Sequence, residues 1–483
     1  MGLDFAYIAA WLLPAFVGGG IWMALSARAR WVADIPAAIG AGWLIGLFVA
    51  AGCARLAAFG DTAHAFSRAW PWYAAIGVGA WIAAIARVRR MPPESPPRVE
   101  AFSVAFRALW WLLLAWIAFR FAVIGDEASL RPVFPWDAWS AWSTKPKTWF
   151  LTGHVEPYVS MLNWLANPDQ ALRTAASWSY PELLAWVQLW FASAAGAWNE
   201  PLVDVAWCGA LMAFSFAAYG YWRALGLAAW IALALVYGLV SLPLIDAHVA
   251  LAGYADLWVA LTLGLATLAW TRWLTLREPR QLALATAIAL CLPLLKLEGM
   301  VWFVAFCAVV AFDLVPPRRR RLALLCIPAL LIVGALVAGF AANLQGESWI
   351  EIPSIGSFAL AWHGVGGAMV ASLFTLPNWH LLWYIIPVLL FVRRARFRED
   401  RAARMIGLML LIDFGFLFAL FFLTTASAWA QDFTSANRLI LQLVPSVFVL
   451  AAVLLRPMAD PSTDVSVAIR RRAQANAART VPA

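Results

Sequence analysis

Long apolar runs, separated by short polar turns, recur along most of the 483-residue chain. Wound as helices, runs of roughly 18–22 residues match the ~30 Å hydrocarbon core of a bilayer. The pattern predicts spans near 5–25, 34–58, 70–88, 104–124, 202–222, 226–245, 250–271, 281–295, 299–315, 322–342, 379–392, 405–424 and 438–455. The expected fold is all-α: a polytopic integral membrane protein with about 13 transmembrane helices. The first run, from Phe5 to about Leu25, has no basic leader and no evident cleavage site, so it reads as a retained span.

Composition agrees with this reading. The chain is 64% hydrophobic and 13% charged, with a mean hydropathy of +0.77, which excludes a soluble surface. Its 31 tryptophans exceed what a soluble core needs and suit membrane interfaces. The net charge of +9 does not point to nucleic acid, because the basic residues sit in short loops between apolar runs. Under the predicted threading, 26 of the 35 lysines and arginines fall on one side, including Arg318–Arg321, Arg393 to Arg404 and Arg470–Arg472. That side is expected to be cytoplasmic, with the N-terminus outside and the C-terminus inside. Cys53, Cys208, Cys291, Cys307 and Cys326 lie in or beside apolar runs without metal or redox spacing, and read as packing residues.

Two segments resist simple alternation. Counting "PELLAWVQLWFASAAGAW" (181–198) as a span would place the later arginine clusters outside, so it is assigned as an interfacial or re-entrant helix. It then lies inside a long external loop, 125–201. Residues 355–376 receive the same assignment for the same reason. The turn "VPPRRRRLA" reads as an orientation signal, and the tail after Arg456 as a disordered cytoplasmic extension. The chain shows no internal repeat, which weakens the inverted-repeat transporter architecture.

The external face gathers ionisable groups. The long loop offers Asp126, Glu127, Asp137, Lys145, Lys147, His154, Glu156 and Glu182. Later external turns add Asp246, His248 and Asp256, then Lys296 and Glu298, then Asp432 and Arg438. Ionisable groups near membrane depth mark functional sites by default, so these turns predict one shared outward cavity.

Five stretches, "WDAWSAWSTKPK", "SYPELLAW", "GYADLWVA", "LKLEG" and "SANRLILQLVP", occur in an order and with a common sidedness that resemble the type C (GT-C) glycosyltransferases, specifically bacterial members related to family 39. The resemblance covers about Arg107 to Arg456. It implies an enzyme of the bacterial inner membrane that moves a monosaccharide from a polyprenyl-phosphate donor to a lipid, glycan or protein acceptor on the periplasmic face. The implied domains are a three-helix extension (1–103), a GT-C-like catalytic module including loop 125–201 (104–315), a C-terminal transmembrane module (316–456) and the tail (457–483).

The resemblance also implies roles for residues. Asp137 matches the loop acid that serves as catalytic base, with Asp126 and Glu127 as rival assignments. Arg438 matches the lipid-phosphate arginine, and Lys296, Lys145 and Lys147 are further phosphate candidates. Asp256 matches an acid that binds a divalent metal or positions the donor. Glu298 reads equally as a donor-site acid or as half of an internal ion pair with Lys296. His154 and His248 are candidates to join Asp256 or Glu298 at a metal. Trp136, Trp139 and Trp142 recur every three residues and would share a helical face. Trp136 and Trp139 are candidates for stacking on a sugar, against an aromatic-belt role. Tyr180, before the proline-started helix of the loop, is a further candidate for stacking on the acceptor or sugar. Two other readings stay open: an O-antigen ligase or polymerase-like transferase, and a lipid-linked substrate transporter or flippase without covalent chemistry.

Overall fold

The computed structural model describes residues 5–26, 31–90, 103–167, 171–319, 340–342, 348–352 and 356–457. The chain is all-α in architecture. The first half runs α1 (Phe5–Leu25), α2 (Trp31–Ala57), α3 (Ala65–Val88), α4 (Val104–Leu130), α5 (Thr144–Thr152), α6 (Met161–Ala166) and α7 (Leu183–Ala195). Next come α8 (Glu200–Ala224), α9 (Ala229–Val240), α10 (Pro243–Ala250), α11 (Ala255–Leu276), α12 (Pro279–Ala289), α13 (Leu292–Leu295) and α14 (Gly299–Leu314). The last group is α15 (Gly366–Val370), α16 (Leu382–Val392), α17 (Arg394–Glu399), α18 (Arg401–Leu423), α19 (Ser427–Gln431) and α20 (Ser435–Leu455).

Among the described residues, eight helices are long and apolar enough to cross a bilayer, and the pair α9–α10 makes a ninth if counted as one span. The chain is a multi-helix membrane protein. The expected spans at 281–295, 299–315 and 379–392 are helical but shorter than a full crossing. In the first of these, a break at Leu290–Cys291 separates α12 from α13. The expected span 322–342 lies almost wholly outside the described residues, and its last three, Phe340–Ala342, form a strand. Arg28, Arg30, Arg98, Arg320, Arg321, Cys326 and the tail from residue 458 also lie outside them.

Small strands interrupt the helical pattern in two places. In the long loop, β1 (Tyr158–Val159) pairs in parallel with β2 (Arg173–Thr174). Later, β3 (Phe340–Ala342), β4 (Ser348–Ile352) and β5 (Gly356–Ala359) form an antiparallel sheet in that order. Residues 355–376, expected as one interfacial helix, are instead the strand β5, the short helix α15 and a π-helical turn at Ala371–Thr375. Gly364 stands between strand and helix, and Gly366 and Gly367 open α15, where glycine disfavours a longer helix.

Packing within the bundle follows from residue size. A Cβ at Gly18 would lie 1.8 Å from the Gly42 carbonyl oxygen, so α1 and α2 meet backbone to backbone. Helix α7, the 181–198 segment, has 13 residues and is about 20 Å long, too short to cross. It is buried beneath α1–α3, and Trp190 Nε1 donates to the Ala10 carbonyl at 3.0 Å. The segment expected as an interfacial or re-entrant helix is thus a short helix packed within protein.

At the 63° bend between α9 and α10, two carbonyls leave the helical ladder. Arg120 Nε donates to Val240 O at 3.1 Å, and His380 Nε2 donates to Ser241 O at 2.8 Å. Those contacts satisfy the broken ladder without water.

The 22-residue helix α11 is about 33 Å long and separates two charged regions. Its first turn carries Asp256. Its last turns reach Arg272, which pairs with Asp34 at 3.1 Å and Glu278 at 3.3 Å. At the same end, Arg401 pairs with Asp313 at 2.5 Å, and Arg456 with Asp400 at 2.5 Å.

Candidate functional site

Asp256, fully buried in the first turn of α11, is the hub of a charge network. Its position at a helix N-terminus favours the carboxylate. Oδ1 accepts from Lys296 Nζ at 2.9 Å and from Gln442 Nε2 at 2.6 Å. Oδ2 accepts from Arg438 Nε at 3.0 Å and Nη2 at 2.8 Å. Charge-assisted bonds of this length are the strong ones.

Four chain segments supply the rest. Arg438, in the first turn of α20, also donates through Nη1 to Asp137 Oδ2 at 2.5 Å. Its guanidinium lies 4.4 Å from the Tyr254 ring centroid, a cation–π contact. Lys296, in the turn between α13 and α14, pairs with Glu298 at 3.2 Å. Gln442 lies four residues after Arg438, so both share one face of α20. Its Oε1 accepts from Trp302 Nε1 at 2.5 Å.

Two local features carry Asp137 to this point. The residues after it form a π-helical turn, Ala138–Trp142, closed by Ser143 N donating to Ala138 O at 2.8 Å. That turn rests on α7, whose Gln188 accepts from Ser143 Oγ at 3.0 Å and donates to the Trp142 carbonyl at 3.1 Å. On the other side, Gly253 has φ +114°, and a Cβ there would lie 2.4 Å from Ala138 Cβ. Only glycine permits both this backbone and this approach.

Of the groups expected to line one outward cavity, Asp137, Asp256, Glu298, Lys296 and Arg438 are brought together as a bonded network. Other candidates fall elsewhere. Asp126 is exposed at the end of α4, and Glu127 pairs with Arg131 at 3.0 Å one helical turn on. Neither bonds to the network. Lys145 is buried and donates to the carbonyls of Trp178 and Tyr180, both at 2.9 Å. Burial pulls its pKa below the ordinary lysine value, with Glu182 opposing. Lys147 pairs with Glu200 at 2.8 Å. Both lysines tie the loop down instead of facing Asp256.

The three tryptophans do not share a face. Trp136 and Trp139 are 69% and 47% exposed and meet edge to face at 4.7 Å, whereas Trp142 is 5% exposed. The wider π-helical turn breaks the three-residue register. Trp142 instead packs 5.0 Å from Tyr180. The Tyr180 phenol has its pKa raised, first by burial and then by Glu298, which places it within electrostatic reach of the cluster.

The metal candidates do not fit an ion. Both Asp256 oxygens are taken by cations and an amide, and a metal there would have to displace them. His248 Nδ1 donates to Leu244 O at 2.8 Å, and its ring lies 5.3 Å from Tyr254. His154 is exposed and lies 3.5 Å from Glu156, which is paired with Arg173. Among the described residues no group of three or more His, Cys, Asp or Glu is placed to hold a metal.

Gly253, Tyr254, Trp302 and Gln442 were not singled out by sequence reasoning. Gly253 and Tyr254 stand in "GYADLWVA" and Gln442 in "SANRLILQLVP". The buried amide among apolar neighbours in α20 is the one signal that identifies Gln442 in advance.

The fold and this network define a polytopic α-helical membrane protein with a buried ionic site at one end of its bundle. No protein family, curated protein or solved structure matches the chain, so its chemistry is argued from the geometry.

Proposed function

We propose that the chain is an inverting membrane glycosyltransferase of GT-C type that takes a monosaccharide from a polyprenyl-phosphate donor to a lipid, glycan or protein acceptor. In this reading it is a multi-span protein of a bacterial inner membrane, with the Asp137 end periplasmic. The arginine pairs around Asp313 and Asp400 gather at the opposite end, as a cytoplasmic excess of basic residues requires.

The observation that carries the reading is the Asp137–Arg438–Asp256–Lys296 chain of bonds. A loop acid, 40% exposed, is joined to a buried two-cation site. Asp137 bonds Arg438 through Oδ2 alone among the described residues. A donor phosphate seated on Arg438 and Lys296 competes with that ion pair and frees the carboxylate. The acceptor hydroxyl oxygen then bonds to the anomeric carbon as the sugar–phosphate C–O bond breaks. Its proton passes to Asp137, and the departing electron pair leaves with the lipid phosphate. Asp256 holds both cations in place before charge develops on the phosphate. Trp136 and Trp139, exposed beside Asp137, are the stacking surface for the sugar or acceptor.

The test is transfer in vitro from a panel of polyprenyl-phosphate sugars. Asp137→Asn is expected to lose roughly 10²–10⁴ in rate, while Asp126→Asn and Glu127→Gln retain it. A chelator is expected to leave the rate unchanged, because the donor set around Asp256 has no room for a metal. Full transfer by Asp137→Asn would overturn the assignment.

One observation favours a second reading, transport of a lipid-linked substrate. Asp413 in α18 is 1% exposed, and neither carboxylate oxygen has a hydrogen-bond partner among the described residues. Intramembrane acids of this kind mark ion paths. Movement of labelled substrate across liposomes without product formation selects this reading.

A further inference from the structure

At the end of the bundle opposite Asp256 a separate cavity of about 320 Å³ opens between the C-terminal turn of α11, the short helix α17, the start of α18 and the end of α20. Its polar lining is Arg396, Arg401 and Arg456 against Glu399 and Asp400. The two acids and their neighbours are unequal in what they neutralise. Asp400 is consumed: Oδ1 accepts the Ala402 and Ala403 amides at 2.9 and 3.4 Å, and Oδ2 takes Arg456 at 2.5 Å. Arg401 is paired with Asp313. Arg396 shares Asp400 with Arg456 and holds it at the longer distance, 3.7 Å against 2.5 Å. Its side chain is 11% exposed, and its Nε makes no hydrogen bond and stands 3.7 Å from Asp400 Oδ2. Among the described residues its Nη2 donates to the Pro457 carbonyl at 3.3 Å. Burial, and then the facing Arg456, hold its pKa below the ordinary arginine value.

A largely buried guanidinium whose nearest carboxylate is 3.7 Å away and already paired gains from a closer charge-assisted acceptor in the space beside it. The cavity also receives the N-terminal end of α18, a 23-residue helix, whose partial positive charge adds to the field. We infer that this cavity is a binding site for a phosphate group, held by Arg396 with Arg456 and distinct from the network at Asp256. The guanidinium fork is the side chain suited to such an oxyanion. The phosphate has two sources with the same chemistry, the headgroup of an anionic lipid or a soluble phosphate compound.

The full-length chain is placed in nanodiscs of phosphatidylcholine with or without phosphatidylglycerol, and the detergent-solubilised chain is titrated with inorganic phosphate. Melting temperature and lipid retained in native mass spectrometry are read. Stabilisation by either probe is expected, the responding arm naming the source. Arg396→Gln is expected to weaken it about tenfold or more, the loss of a charged hydrogen bond. Arg398→Gln, exposed on the same short helix, is expected to leave it unchanged. Glu399→Gln removes an opposing acid and is expected to tighten binding, which a merely structural arginine would not do. Should Arg396→Gln fail to fold, Arg396→Lys keeps the charge without the fork and is expected to bind more weakly than the native chain. Native-level binding in the Arg396 variants, or no response of the native chain to either probe, overturns the site.

Discussion

Replacing Asp256 with asparagine keeps the shape of the hub and removes its charge. In the native chain its carboxylate accepts four bonds from Lys296, Gln442 and Arg438. Lys296 and Arg438 have side chains only 6% and 19% exposed, so water replaces little of the lost anion. Glu298 and Asp137 are left as their sole and more exposed counter-charges among the described residues. The asparagine amide also offers a donor where an acceptor is required. Removing one partner of a buried pair is destabilising by about 3–5 kcal/mol. With an unfolding entropy of about 2.1 cal/mol/K per residue, the 483-residue chain changes by about 1 kcal/mol per kelvin. Asp256→Asn is therefore expected to lower the melting temperature by about 3–5 °C, read by intrinsic fluorescence of protein in lipid nanodiscs. The double variant Asp256→Asn/Lys296→Met removes one stranded cation and is expected to recover part of that loss, because residues in one network couple. A single variant that melts within about 1 °C of native, or a double variant whose losses simply add, would refute the argument that an uncompensated buried charge is the cause.

Other outcomes follow from the same geometry. Gly253→Ala puts a Cβ 2.4 Å from Ala138 Cβ at φ +114°, so it is expected to push the Asp137 turn away. A cross-link between cysteines placed at residues 137 and 438 reports this as lost yield, and unchanged yield counts against it. Trp142→Ala opens a cavity at a 5% exposed position and is expected to cost about 3–5 kcal/mol. Trp136→Ala and Trp139→Ala, at 69% and 47% exposed positions, are expected to stay within about 0.5 kcal/mol in the same melting assay.

Most of the bundle was legible because lipid imposes a length rule. Runs such as Phe5–Leu25, Glu200–Ala224 and Ser435–Leu455 are long and apolar enough to cross as helices, with few charges. The arginines then set the alternation and marked the 181–198 segment apart from the spans. It is a 13-residue helix, shorter than the eight among the described residues that are long enough to cross. The rule weakens where helices are short or broken. It did not foresee the β5 strand in the 355–376 segment, nor the separation of α12 from α13, because apolar content there does not encode backbone path.

At the site, the sequence by itself determined which charges lie near one end of the bundle: Asp137, Asp256, Lys296, Glu298 and Arg438 could be named from their turns alone. It did not determine which of them meet. Lys145 and Lys147 looked equal to Lys296, yet they bind loop carbonyls and Glu200. The even spacing of Trp136, Trp139 and Trp142 suggested one face until a π-helical turn divided it. Partner choice among charges depends on distances of a few ångströms between segments up to 301 positions apart in the chain. Those distances are set by packing, through Gly253, Gln188 and the face shared by Arg438 and Gln442, and packing exists only once the helices have closed around one another.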